Sequence, residues 1–167
     1  MLLTPEYVFK DVTHITPEFL KAKGICALVL DVDNTITGDR SQEVPPEVAD
    51  WFAAMRAAGV SLTILSNGSK KRVQPFAEKI GLRWVSRSAK PLPLGMLVAR
   101  RRLGVPRSRM AMVGDQLYTD RLAAALYGIP ALMVVPRGPD LNPYVRFKRK
   151  IEKPFWARYY RKGGQNL

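Results

Sequence analysis

The chain is predicted to fold as a doubly wound, mainly parallel α/β sheet, and three observations predict it. Short apolar runs rich in β-favouring residues alternate with stretches of helical periodicity. The connections between them are short. Several runs stop at acidic or small polar residues: Asp31-Val32-Asp33-Asn34-Thr35, Ser66-Asn67 and Gly114-Asp115. Open α/β sheets bind ligands at the carboxyl ends of their strands, so these residues are expected to converge there.

The elements follow in order. Residues 25–30 read as a buried strand delivering Asp31 and Asp33 to its edge. Pro45 and Pro46 open a helix to about residue 58, with Val48, Trp51, Phe52 and Met55 on one face and Gly59 ending it. A strand over 60–65 precedes a helix begun at Ser69, which carries Val73, Phe76 and Ile80 and stops at Gly81. A short strand over 83–85 leads to a helix over 92–103, closed by Gly104. A strand over 110–113, a helix over about 119–127 and a strand over 129–135 complete an expected core of about residues 25–135.

Composition limits the function classes. With 167 residues, one domain is the natural count, and a 47% hydrophobic content supports a core. No apolar stretch is long enough to span a bilayer, and no secretory signal follows Met1, so a cytoplasmic protein is expected. The single Cys26 excludes an internal disulfide. A formal charge of +13 points to an anionic partner: nucleic acid, an anionic membrane or a phosphorylated substrate.

Two carboxylates one residue apart at a buried strand end repel each other unless a cation or proton is near. Singly, the other signals have plain readings. Ser66-Asn67-Gly68 suits a turn, Lys90 a solvated charge, and Gly114-Asp115 a helix cap. Together they suit phosphoryl transfer from a monoester dianion, which needs a nucleophile, a divalent metal, positive charge on the transferring oxygens and an acid for the leaving group. Asp31 can attack phosphorus, and Mg²⁺ can bridge Asp31, the phosphate and Asp115. Asp33 can protonate the leaving oxygen and then activate water. Ser66 and Thr35 can donate to phosphate oxygens, Lys90 supplies a charge, and Asp120 can support Lys90 or the metal's water shell. Spacing alone does not fix these roles.

At these residues the sequence resembles the haloacid-dehalogenase (HAD) phosphatase superfamily. Its four motifs match Asp31 to Thr35, Ser66, Lys90, and Gly114-Asp115 through Asp120, in order. The wider chain is similar to the YqeG-like group of subfamily IIIA, on Leu3-Thr4-Pro5, Ile64-Leu65-Ser66-Asn67, Ala89-Lys90-Pro91 and Val113 through Asp120. Gly68 departs from that group, where a bulkier polar residue is expected. Relatives in the group include phosphatidylglycerophosphate phosphatases of bacteria and mitochondria. The resemblance implies a HAD-like Rossmannoid core and Mg²⁺ dependence. It also implies Asp31 as nucleophile, with Asp33 and Lys90 catalytic. Asp31, Asp33 and Asp115 become the expected metal ligands, and Thr35, Ser66, Asn67 and Lys90 the substrate-binding set. The expected substrate is an anionic phosphorylated molecule, first a phospholipid.

Ser66 follows Thr35 by 31 positions and Lys90 follows Ser66 by 24, intervals filled by one helix and one strand each. Neither leaves room for a large cap domain, so an open site is expected. The segment from about 137 to 167 interleaves basic residues with Phe147, Phe155, Trp156, Tyr159 and Tyr160, which suits peripheral contact with an anionic membrane. A helix or tail packing its aromatics on the core, or a nucleic-acid surface, are the alternatives. No zinc spacing, RNA-recognition signature or strong helix-turn-helix pattern favours nucleic acid. Because the four motifs lie upstream, neutralising Arg146, Lys148, Arg149 and Lys150 is expected to affect soluble substrates much less than vesicles.

Overall fold

The four residues before Asp31, Ala27 to Leu30, are all buried, and the sheet is built outward from them. The computed structural model describes residues 2–167. Strands β1 (Tyr7–Phe9), β2 (Ala27–Leu30), β3 (Ser61–Leu65), β4 (Arg83–Val85), β5 (Met110–Gly114) and β6 (Ala131–Val134) form one sheet. Their order is β1-β6-β5-β2-β3-β4, and every pair is parallel. The helices are α1 (Pro17–Ala22), α2 (Pro46–Ala57), α3 (Lys70–Lys79), α4 (Leu94–Leu103), α5 (Leu122–Tyr127) and α6 (Pro143–Arg161).

Alternation along β2 supplies both cores. Leu28 and Leu30 join Ile64 and Val113 on one face, where Trp51, Phe52 and Met55 of α2 and Val73 and Phe76 of α3 cover them. Ala27 and Val29 join Leu65, Met110 and Met112 on the other, beneath Met96 of α4 and Ala123 and Ala124 of α5. Covering both faces explains why the central strands read as continuous apolar runs. Fully burying a Leu or Val side chain stabilises the fold by about 1.5–3 kcal/mol, which offsets the cost of ending such a strand on a carboxylate.

The strand order reverses beside β2. From β2 the chain moves outward through β3 to β4, then returns to place β5 on the other edge of β2. The crevice of a doubly wound sheet lies at this switch point. The connections from β2 to β3 and from β3 to β4 carry α2 and α3, with no cap domain inserted.

Three departures from the expected elements bear on the site. The helix expected over 119–127 begins instead as a π-type turn, Leu117–Arg121, ahead of α5. The Asp120 carboxylate turns back onto the backbone N–H groups of Asp115 and Gln116 at 3.2 and 3.1 Å, which holds that first turn open. Both termini also lie beyond the expected core yet join it. β1 extends the sheet, and Leu167 exchanges backbone hydrogen bonds with Val8 and Lys10 at 2.8 and 3.0 Å. Finally, the basic C-terminal segment is a helix of 19 residues, α6, whose Phe155, Trp156 and Tyr159 pack on the second core. Phe147 and Tyr160 stay exposed. Among the described residues no helix is long and apolar enough to cross a membrane.

Candidate active site

Asp31 leaves the sheet at the switch point. Its N–H donates to the Val113 carbonyl at 2.9 Å, continuing the β2–β5 ladder by one residue. The chain then tightens, with the Val32 carbonyl accepting from the amides of Thr35, Ile36 and Thr37 at 3.3, 3.1 and 3.3 Å. Asn34 takes a left-handed conformation at φ 56° in this turn. Asp31, Asp33, Ser66, Asn67 and Lys90 thereby line one cleft of about 310 Å³. Thr35, Asp115 and Asp120 are buried behind it.

Lys90 is the electrostatic centre. Its Nζ lies 2.8 Å from Asp31 Oδ1 and 2.7 Å from Asp120 Oδ1, with all three side chains buried. Burial alone would lower the lysine pKa, but Asp120 and Asp31 more than reverse that and hold it above its usual value. Burial raises the Asp31 pKa, Lys90 opposes the rise, and Asp120 adds to it. Asp120 fits only because residue 114 is glycine: a Cβ there would lie 2.3 Å from Asp120 Cγ.

Asp115, following β5, is wholly buried. Its Oδ1 accepts from the Thr35 hydroxyl at 3.2 Å, and its Oδ2 pairs with Arg149 Nη2 of α6. Burial pushes its carboxyl up to about 7, against the influence of Arg149 and with that of Asp120 and Asp31. Asp31, Asp115 and Asp120 each offer an oxygen within 4.8 Å of the others. Three carboxylates face two cations, Lys90 and Arg149, and the donors are all hard oxygens, so the set fits a divalent ion such as Mg²⁺.

The remaining expected residues are placed differently from one another. Asp33 reaches the cleft, but its carboxylate is outside the clustered three. It pairs with Arg72 and accepts from the Arg40 N–H at 2.9 Å. Ser66 follows β3, and its Oγ accepts from the Gly68 N–H at 3.0 Å, leaving the hydroxyl hydrogen able to donate into the cleft. A Cβ at residue 68 would meet Ser66 Oγ and Val73 at 3.2 Å, a tight contact that favours the small residue there. Thr35 and Asn67, expected on the phosphate, are committed within the protein: Thr35 to Asp115, Asn67 to the loop carrying Lys90. Asn67 Nδ2 donates to the Lys90 carbonyl at 3.0 Å, and its Oδ1 accepts from the Lys90 N–H and the Ser88 hydroxyl at 2.8 Å.

A family model for haloacid dehalogenase-like hydrolases matches residues 10–128, which contain this whole constellation of aspartates, serine and lysine. The chain belongs to this family. It is 31% identical to the "Probable phosphatase YqeG" of Bacillus subtilis (strain 168), over 95% of this chain and 92% of that protein. It is 27% identical to a protein of Arabidopsis thaliana named "Phosphatidylglycerophosphate phosphatase 1, chloroplastic/mitochondrial", over 95% of this chain but 49% of that longer one. The fold is shared with 3-deoxy-D-manno-octulosonate 8-phosphate phosphatase of Moraxella catarrhalis, at a TM-score of 0.54 and 22% identity over 71% of this chain and 72% of that one. It is shared too with the 4-nitrophenylphosphatase of Thermotoga maritima, at a TM-score of 0.52 and 16% identity over 73% and 89%. The chain is a phosphatase of the haloacid dehalogenase-like family.

This hydrolase has site residues that its motifs did not announce. Arg72, in the first turn of α3, was hidden because nothing local distinguishes it from Lys70 and Lys71. Arg149 and Lys148 were hidden in the basic run of α6. Arg149 grips Asp115, while Lys148 lines the cleft and donates to Gln116 Oε1 at 2.8 Å. The expectation that the four cations at 146–150 act apart from the catalytic motifs is therefore corrected. Arg146 and Lys150 are exposed, whereas Lys148 and Arg149 reach the site because helical spacing turns them inward with the buried Glu152.

Proposed function

We propose that this haloacid dehalogenase-like phosphatase removes the terminal phosphate of phosphatidylglycerophosphate to leave phosphatidylglycerol, through an aspartyl-phosphate on Asp31. The observation that carries the chemistry is the Asp31–Lys90–Asp120 chain at the cleft floor, which presents a carboxylate beside a fixed positive charge. The Asp31 carboxylate attacks phosphorus, and the bond to the leaving oxygen breaks as Asp33 gives that oxygen its proton. Asp33, now a carboxylate steadied by Arg72, takes a proton from water, whose oxygen attacks the same phosphorus. Inorganic phosphate leaves and Asp31 is restored. The Ser66 hydroxyl and Lys90 offset charge on the transferring oxygens. Asp31 and Asp115, beside Asp120, are the residues that would hold Mg²⁺, which when bound supplies positive charge between carboxylate and phosphate.

The lipid assignment is supported by the name of the Arabidopsis relative and by the mouth of the cleft. Tyr144 lines the cleft and is 67% exposed, and Phe147 and Ile151 continue the same exposed face of α6. Arg146 and Lys150 flank them. Apolar side chains among basic ones suit peripheral contact with an anionic bilayer, which for a cytoplasmic protein is the inner membrane face.

A phosphate-release panel tests the reading with phosphatidylglycerophosphate in vesicles, short nucleic-acid ends and small phosphomonoesters. Preference for the lipid is expected, and a preference for either other class refutes it. Replacing Arg146 and Lys150 by Gln should weaken vesicle partition on the order of 30-fold, since each cation near such a surface contributes about 1 kcal/mol. Hydrolysis of a soluble phosphomonoester should be unchanged in this variant.

A further inference from the structure

Arg149 answers to more than one acid. Its Nη2 pairs with Asp115 Oδ2 and its Nη1 donates to the Asp115 carbonyl at 2.5 Å. Its Nε lies 3.1 Å from Asp140 Oδ2, and Asp140 in turn accepts from Asn34 Nδ2 at 3.0 Å. The third acid is incompletely paired. Glu152, one helical turn along α6, is 0% exposed, and its Oε2 has no hydrogen-bond partner. That oxygen lies 3.6 Å from Arg149 Nη1. Glu152 Oε1 is already engaged, accepting from the Tyr118 N–H at 3.1 Å.

A buried carboxylate oxygen without a donor is costly, so its place beside a guanidinium calls for a reason. The Asp115 carboxylate gives one. Each carboxylate oxygen has two acceptor sites, so the Thr35 hydrogen bond still leaves room on Oδ1. A guanidinium against Oδ2 is different, because its positive charge opposes any second cation at that carboxylate.

We propose that Arg149 is a positioning residue that serves as the counter-ion of Asp115 in the metal-free protein and, keeping its pair with Asp140, shifts onto Glu152 when Asp115 takes a divalent cation. The inference rests on the reading that Asp115 holds such a cation. It assigns Glu152 a role that packing does not need: a waiting acceptor for the arm of the guanidinium that leaves Asp115. α6 then sets the cation affinity of the site from outside the four motifs.

The test is Mn²⁺ binding to the full chain, followed by calorimetry and by loss of the free-ion electron paramagnetic resonance signal, with no substrate present. Wild-type protein should bind, and Asp115→Asn should not. Arg149→Gln should tighten binding by about tenfold, the scale on which groups bonded to metal ligands act. Glu152→Gln should weaken binding in the wild type and have no effect in the Arg149→Gln background, a coupling that a double-mutant cycle isolates. Circular dichroism checks the fold. Should Arg149→Gln not fold, Arg149→Lys, which keeps the charge but loses the fork, should shift affinity in the same direction by less. Weaker or unchanged binding by folded Arg149 variants overturns the exchange and leaves the metal reading intact. Absence of Mn²⁺ binding by wild type removes both.

Discussion

Replacing Lys90 with Met takes the ammonium that pairs with them from two buried aspartates. In the wild type the ammonium lies 2.8 Å from Asp31 and 2.7 Å from Asp120, at side-chain exposures of 2%, 8% and 0% for Lys90, Asp31 and Asp120. Breaking a buried ion pair by removing one partner costs about 3–5 kcal/mol, because the other charge is left uncompensated. In a chain of this size each kcal/mol moves the melting temperature by about 2–4 °C, so Lys90→Met should melt about 6–20 °C below wild type at neutral pH. The loss should depend on pH in a set direction. Burial already raises the Asp31 pKa and Lys90 is the main influence opposing it, so without Lys90 the carboxyl rises further. A carboxyl raised on folding contributes stability that is complete below its unfolded value and is lost as pH rises through its folded value. The variant should therefore lie nearest wild type at about pH 4 and furthest at about pH 8. Thermal melts across that range, in chelator, measure the difference, and phosphate release by separate samples supplied with Mg²⁺ should be lost, since Lys90 no longer offsets charge on the transferring oxygens. A variant melting within about 2 °C of wild type at neutral pH would refute the reasoning, as would a difference that grows in acid.

Asp31→Asn should abolish phosphate release with an unchanged circular dichroism spectrum, since the amide cannot attack phosphorus while Lys90 keeps Asp120; turnover near wild type excludes Asp31 as nucleophile. Asp33→Asn should lower turnover by about 10²–10⁴-fold, because an amide cannot shuttle the proton, and unchanged single-turnover rates would remove that role. Activity should vanish in chelator and return with Mg²⁺; full turnover after exhaustive metal removal contradicts the mechanism. In metal-free protein the Asp115 carboxyl, pushed up to about 7 from 3.8, contributes stability that is present below about pH 4 and lost as pH rises through about 7. The melting temperature of wild type minus that of Asp115→Asn should fall over that interval, and a flat difference counts against the buried, protonating carboxyl.

The legible part of the site is the part whose signals are local. Asp31, Ser66 and Asp115 each stand directly after a buried strand, and period-two burial together with parallel pairing carries them to one edge. Likewise Val48, Trp51, Phe52 and Met55 repeat at helical spacing and all face the core in α2. The short N-terminal elements were not legible, because a three-residue strand such as Tyr7–Phe9 has too few positions to display a period. Its stability comes from pairing with β6, more than 120 positions away in the chain.

What the sequence by itself determined is the fold class, the order of the catalytic motifs and the absence of a large cap. The fold class and the missing cap follow from periodicity and interval lengths, and the motif order from residues that resemble the haloacid dehalogenase family, all of them properties of the sequence itself. Tertiary structure alone decided which charges meet. Nothing near Arg149 separates it from Arg146 or Lys150, yet the seating of α6 on the second core aims it at Asp115 and leaves the other two in solvent. Nothing near Asp33 names Arg72 as its partner, and nothing near Thr35 names Asp115 as the acceptor of its hydroxyl. Ion pairing depends on distance and burial, both set only when distant segments pack, so identical cations in one basic run acquire different chemistry.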